Sequence, residues 1–272
     1  MRLILRILIS VMLPAFAAAQ DPDSLKGFRF VHSIPGQYLS MNVDALGNLY
    51  LINTGNRLMK RYPNGDSAAV FNEVRKYGNP TYIDVSNPLK PIVFYQRFSS
   101  ILILDRFLSL RSTLDLRKNQ IFRVQAVANS YDNQLWVFDE QEFKLKKISD
   151  DGRLLQESAD LRQVLDTVPS PVMIMDSDNL VYVYDPSRGF YIFDYYGGWK
   201  NRLPFTGWTD VAVSGKKIYG FRDNKLFSYE ISSLQLQEYP LPDSIKGYRA
   251  IRAINGFLYL LTEDAVQVYE IR

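Results

Sequence analysis

The chain has 272 residues, with 32 Lys and Arg against 29 Asp and Glu, for a net charge of +3. So even a balance argues against a dedicated nucleic-acid binder, which carries a basic excess or patch. With no cysteine and one histidine, the chain offers neither a disulfide framework nor a His- or Cys-rich metal centre.

The N-terminus carries Arg2 and Arg6, an apolar run from Ile7 to Phe16, and then Ala17-Ala18-Ala19-Gln20. This order of charge, apolar run and small residues predicts a secretory signal peptide over residues 1–19, cut after Ala19. A membrane anchor is the alternative, but the run is short for a span and contains Pro14. No cysteine follows the run to carry a lipid, and no later segment is long and apolar enough to cross a bilayer. Residues 20–272 then form one domain, and losing Arg2 and Arg6 takes the net charge from +3 to +1.

Along that domain the same succession returns. Alternation in Phe28–Ile34 predicts a half-buried strand. The first unit reads as strands Tyr38–Val43, Leu49–Ile52, Leu58–Tyr62 and Ala68–Phe71. The second reads as Thr81–Val85, Ile92–Tyr95, Ile101–Leu104 and Leu110–Leu116. In the third, Val124–Ala128, Leu135–Phe138 and Lys144–Ile148 precede a segment from Arg153, in which Asp160–Leu165 has helical spacing. The fourth is Val172–Met175, Leu180–Tyr184, Phe190–Asp194 and Lys200–Phe205, and the fifth Thr209–Val213, Lys217–Phe221, Lys225–Ile231 and Leu236–Leu241. The sixth has three strands, Arg249–Ile254, Leu258–Leu261 and Val266–Ile271. Gly, Asn, Asp and Ser mark the breaks, among them the pairs Gly47-Asn48, Asp132-Asn133, Asp178-Asn179, Ser214-Gly215 and Asn255-Gly256, read as two-residue hairpin turns.

The second strands, starting at Leu49, Ile92, Leu135, Val181, Ile218 and Leu258, are spaced by 43, 43, 46, 37 and 40 residues. A period near forty is one four-stranded propeller blade. The expected fold is all-β: a six-bladed β-propeller whose last blade is closed by the N-terminal strand Phe28–Ile34, which removes the exposed edges an open array would leave.

The first unit, Gly47-Asn48-Leu49-Tyr50-Leu51-Ile52-Asn53-Thr54-Gly55-Asn56-Arg57-Leu58, resembles the NHL-type propeller repeat. Asp139 and Asp185 hold the place of Asn53 in the third and fourth units, whereas Gln96, Arg222 and Thr262 depart from the pattern. The resemblance implies a diverged NHL-like propeller, a class of mostly binding and assembly platforms with a minority of enzymes, and in style an exported envelope protein of Bacteroidota type. Asp139 and Asp185 are expected to bond turn amides.

Catalytic signals are sparse. The lone His32, on the closing strand, weighs against propeller lyases and quinoprotein dehydrogenases, whose centres look for histidines. No Gly-x-Ser-x-Gly turn and no sialidase-type Asp box is present. Asp44, Asp84, Asp176 and Asp210, at first-strand ends, could ring one mouth of the central channel and supply oxygens to calcium. A lactonase-like centre would need a Glu in that ring, and none is there. Tyr82, Tyr131 and Tyr248 are further mouth candidates.

The aromatic signal is denser. Phe190, Tyr191, Phe193, Tyr195, Tyr196, Trp199, Phe205 and Trp208 fall in one short stretch. Tyr195, Tyr196, Trp199, Arg202 and Trp208 form a candidate partner-binding patch; the alternative is packing between the fourth and fifth blades. The run Lys144, Lys146, Lys147 reads as a solvated strand face. The expected function is a non-catalytic exported scaffold or subunit, in the periplasm or on the outer membrane or cell surface. Its partners would be envelope proteins, for instance of a transport or secretion complex, with no nucleic acid and no cofactor. The alternatives are a channel-centred binder of a small ligand or glycan, a calcium-dependent lactonase-like hydrolase, and glycan binding by the aromatic loops.

Overall fold

The computed structural model describes residues 24–25, 27–242, 245 and 247–271. The expected signal peptide lies outside them. Six antiparallel sheets form six blades of a β-propeller. Strand boundaries fall within two residues of those read from the sequence; blade 4, for example, has Met173–Ser177, Leu180–Asp185, Gly189–Asp194 and Trp199–Leu203. The helical spacing after Asp160 becomes the short helix Leu161–Val164, with the Asp160 carboxylate accepting from the Arg162 amide. Among the described residues no helix is long and apolar enough to cross a membrane.

The ring closes as the sequence predicts. Phe28–Pro35 pairs antiparallel with Ala265–Ile271, the third strand of blade 6, from Phe28 opposite Ile271 to Pro35 opposite Ala265. One register shift lies between Phe30 and His32. Ser24–Leu25 adds a fifth strand outside it, which the sequence reading did not anticipate.

Strand chemistry explains the stacking. The second strands of blades 1, 2, 3, 4 and 6 are almost wholly buried, as in Leu49–Asn53 and Leu135–Asp139, because both of their faces meet a neighbouring blade, whereas that of blade 5 is exposed at both ends. Six apolar clusters result, each shared by two consecutive blades; the last joins Val266 and Val268 of blade 6 to Leu49 and Leu51 of blade 1. Removing each such large side chain from water is worth about 1.5–3 kcal/mol. Asp139 and Asp185 do bond turn amides, those of Gln141 and Ser187, at 3.0 and 2.8 Å. Asp178-Asn179 and Asn255-Gly256 have positive φ at both residues, as tight hairpins require. The turns after the first strands of blades 1 and 3 are longer, and Asp44 accepts from the Leu46 and Asn48 amides in the first of them.

The packed aromatics carry a pH signature. Burial pushes the hydroxyls of Tyr95, Tyr182 and Tyr184 from an ordinary 10.0 up to about 12. Their protons are held more tightly in the folded chain, so the stability they lend is complete below pH 10.0 and is lost as pH rises toward about 12. Tyrosinate absorbance should therefore rise together with loss of the far-ultraviolet β signal. Reversible ionisation of these tyrosines near pH 10.0 in the folded protein would contradict their burial.

Candidate functional site

One face of the ring gathers the hairpins between first and second strands and between third and fourth. Contacts between blades fix this arrangement. Asn255 Nδ2 donates to the Ala45 carbonyl, Asn87 to Asn133, and Ser177 to the Gly215 carbonyl. Lys90 reaches from blade 2 to Asn133 and Asp150.

On this face, between blades 3 and 4, a lysine stands inside an aromatic box. Lys147 Nζ lies 3.4 Å from the ring centre of Tyr195, 5.1 Å from Trp136 and 5.7 Å from Tyr131, with Asp132 Oδ2 at 2.8 Å. The Tyr195 hydroxyl donates to the same carboxylate. Burial and this bond raise the Tyr195 hydroxyl above the ordinary phenol value. Burial works against the charge of Asp132, but hydrogen bonds from Lys147, Tyr195 and Ser130 outweigh it and hold the carboxyl below its usual range. Tyr131 and Tyr195 meet at 4.5 Å with their rings tilted by 45°, and Tyr196 leans on Tyr195 at 5.6 Å. Tyr131 and Tyr196 are 60% and 71% exposed although both are anchored to this buried base. Gly197 makes the close approach possible: a Cβ there would sit 3.2 Å from the Ser158 amide nitrogen on blade 3.

The box continues to the channel. Trp136 Nε1 and Ser130 Oγ each donate to Asp176 Oδ2 at 2.8 Å. Asp176 lines a central cavity of about 330 Å³ with Asn42, Tyr82, Asp84 and Arg252. Asp84 accepts from the Ser86 and Asn129 amides at 2.7 and 2.6 Å. Burial lifts its carboxyl above the ordinary range although the amide bonds pull the other way.

The four mouth aspartates do not converge. Asp44 is turned into its own hairpin and also accepts from Tyr50. Asp210 stands at the entry of its strand, in a bulge with φ of 50°, and pairs with Arg252. As the second residue of Thr209–Ser214 it lies at the opposite strand end from Asp84 and Asp176. Among the described residues no group of three His, Asp or Glu is placed to hold a metal ion.

The aromatic patch divides. Trp208 is buried, stacked on Phe205 at 4.8 Å and Phe227 at 5.2 Å, so it packs between blades 4 and 5 and presents no contact surface. Gly220 was the available signal, since a Cβ there would come 2.3 Å from the Trp208 ring and glycine inside a strand marks a close approach. Tyr196 and Trp199 are exposed, and Arg202 lies over the Tyr191 ring with its Nε bonded to the Arg188 carbonyl. The lysine run is not a solvated face either. Lys146 is paired with Asp139 and Lys147 is boxed, both buried, because neighbouring elements supply countercharge and rings.

Sequence reasoning also missed an apolar fringe. Leu46, Tyr62, Leu89 and Phe107, all exposed, come from four hairpins of blades 1 and 2 on this same face. With Lys60, Pro88 and Arg106 they line one groove of about 440 Å³. Their signal was present as large apolar residues inside turn sequences, where polar ones are the rule.

No family model and no curated protein matches the chain. Solved structures do. A streptogramin B lyase superposes with a TM-score of 0.58 at 16% identity, covering 85% of this chain and 78% of the other. A catalytically inactive histidine-to-alanine variant of the Staphylococcus aureus virginiamycin B lyase with quinupristin gives 0.55 at 14%, covering 87% and 81%. The Neurospora crassa Pan2 WD40 domain gives 0.58 at 11%, covering 87% and 89%. At such identities the likeness is one of fold, and it spans a lyase on one side and a WD40 domain on the other.

Proposed function

We propose that the protein is an exported, non-catalytic scaffold of a bacterial cell envelope, an NHL-like propeller that holds a partner protein on its hairpin face. The observation that carries this reading is the anchoring of exposed Tyr131 and Tyr196 on the buried Lys147 box, on the same face as the fringe of Leu46, Tyr62, Leu89 and Phe107. Exposed aromatics held rigid lose little freedom on binding and are typical interface hot spots. Contiguous apolar surface on a soluble protein marks an interaction site. The WD40 domain among the structural neighbours is in keeping with such a role, and so is this chain's lone histidine, which sits on the closing strand of blade 6 and not in the channel lining. Export rests on the N-terminal pattern of charge, apolar run and small residues.

The test is crosslinking in native envelopes of the wild type and of the triple variant Leu46→Ser, Phe107→Ser, Tyr196→Ala. All three side chains are exposed, so the melting temperature should stay within a few degrees. A stoichiometric partner recovered with the wild type should fall by about tenfold or more with the variant, as loss of at least one hot spot requires. Recovery of the protein alone at native expression would count against the scaffold.

A second reading, a small polar ligand in the channel, is favoured by the Asp84, Asp176 and Arg252 lining, where Asp176 Oδ1 is buried without a hydrogen-bond partner.

A further inference from the structure

Blade 5 departs from its neighbours at one register position. The residue opposite the aromatic of the second strand is Lys60 in blade 1, Lys147 in blade 3, Ile192 in blade 4 and Val268 in blade 6. Each is long or branched, and each fills the space toward the next blade. In blade 5 the place opposite Tyr219 belongs to Ser228. The outer strand does not compensate, since every residue of Gln235–Pro240 is exposed.

The missing volume appears as a cavity of about 560 Å³ between blades 5 and 6. That is within the size range of small-molecule sites, which are mainly apolar with a few placed polar groups. Phe28, Leu226, Ile254 and Ile271 supply aliphatic and aromatic wall, and Tyr219 and Tyr239 two more rings. Tyr219 is half-buried, whereas its counterparts Tyr50, Trp136 and Tyr182 are fully buried. Ser228 is 6% exposed and lines the cavity, where it is a small polar side chain of the wall.

The charge of the cavity selects among ligands. Among the described residues no Asp or Glu lines it. The cation among its described lining residues, Lys217 at the rim, faces Glu230 at 3.9 Å. An ionic ligand would lose its hydration here without finding an unpaired countercharge.

We infer that the cavity between blades 5 and 6 is a binding site for an uncharged, ring-bearing small molecule that packs between Phe28, Tyr219 and Tyr239 and exchanges a hydrogen bond with Ser228. The site is separate from the hairpin-face groove and adjoins the channel along Ser214, Ala253, Ile254 and Asn255, and it stands whether or not the scaffold reading holds.

The probe is anilinonaphthalene, a neutral ring compound whose fluorescence rises in apolar surroundings, titrated into the protein beginning at Gln20. Its anionic sulfonate is the second arm. The neutral compound should bind saturably at one site, at least about tenfold more tightly than the sulfonate. Ser228→Leu restores the branched side chain of the other blades and should weaken the neutral probe by about tenfold or more while raising the melting temperature, because it fills a void. Ser214→Trp, at the exposed rim, blocks entry and serves if the buried variant does not fold. The inference is overturned by the absence of saturable one-site binding, by equal affinity for the sulfonate, or by unchanged binding in a folded variant.

Discussion

Removing the chain up to Pro35 should abolish the cooperative unfolding transition of the entire ring, not only of blade 6. The closing strand meets Ala265–Ile271 over seven register pairs. Phe28 is buried in the cluster between blades 5 and 6, and Ile34 in the cluster between blades 6 and 1. One strand thus serves both seams that flank the last blade. Loss of Phe28 and Ile34 alone removes about 3–6 kcal/mol of apolar burial, before the ladder is counted. A domain is stable by about 5–15 kcal/mol, so the deletion takes a large fraction of the total. It also uncovers Ala265–Ile271 as an unpaired edge, which favours association between chains. The expected record is a flat thermal melt and early elution on size exclusion for the chain starting at Gly36, against a sharp melt for the chain starting at Gln20. A sharp two-state melt of the shorter chain would mean that five complete blades hold the ring without closure.

How far the sequence carries follows from the range of the interactions. The blades were legible because strand period, turn residues and even spacing are local signals, and closure was legible because blade 6 lacked a strand that Phe28–Ile34 could supply. The role of Asp139 was legible because the amides it bonds lie two and three residues away. Lys147 was not. Its burial depends on Tyr195, which arrives from the next blade, and on Asp132, which looked like a turn residue and nothing more. Alternation with Leu145 and Ile148 gave the opposite expectation, a solvated face, since a strand read alone cannot know that both its sides will be covered. Asp210 was grouped with Asp44, Asp84 and Asp176 although the strand read as Thr209–Val213 already put it at the entry end, opposite to theirs, so this misplacement was legible in the sequence itself. Leu46, Leu89 and Phe107 were passed over because turn detection looks for glycine and asparagine, not for the apolar residues among them.

Replacing Lys147 by methionine should loosen the hairpin face while leaving the propeller intact. Methionine keeps the length and the apolar stem but removes the charge that three rings and Asp132 surround. Breaking a fully buried ion pair costs about 3–5 kcal/mol. Asp132 is 30% exposed in its side chain and regains water, which brings the expected loss down to about 1–3 kcal/mol. That leaves the ring folded. The local effect is larger than the global one, because Tyr195 loses a cation 3.4 Å from its ring and Tyr131 one 5.7 Å from its ring. Amide hydrogen exchange should accelerate at residues 131–133 and 195–198 and stay slow in the second strand of blade 3. Near-ultraviolet dichroism should change through Trp136, with the far-ultraviolet spectrum unaltered. If the box serves to present Tyr131 and Tyr196, the methionine variant loses partner binding although it keeps every exposed residue of the face. Adding Tyr196→Ala to it then costs less than Tyr196→Ala costs in the wild type, since coupled residues are non-additive. Full additivity of the two substitutions, or unchanged exchange in both hairpins, would reduce Lys147 to ordinary packing between blades 3 and 4.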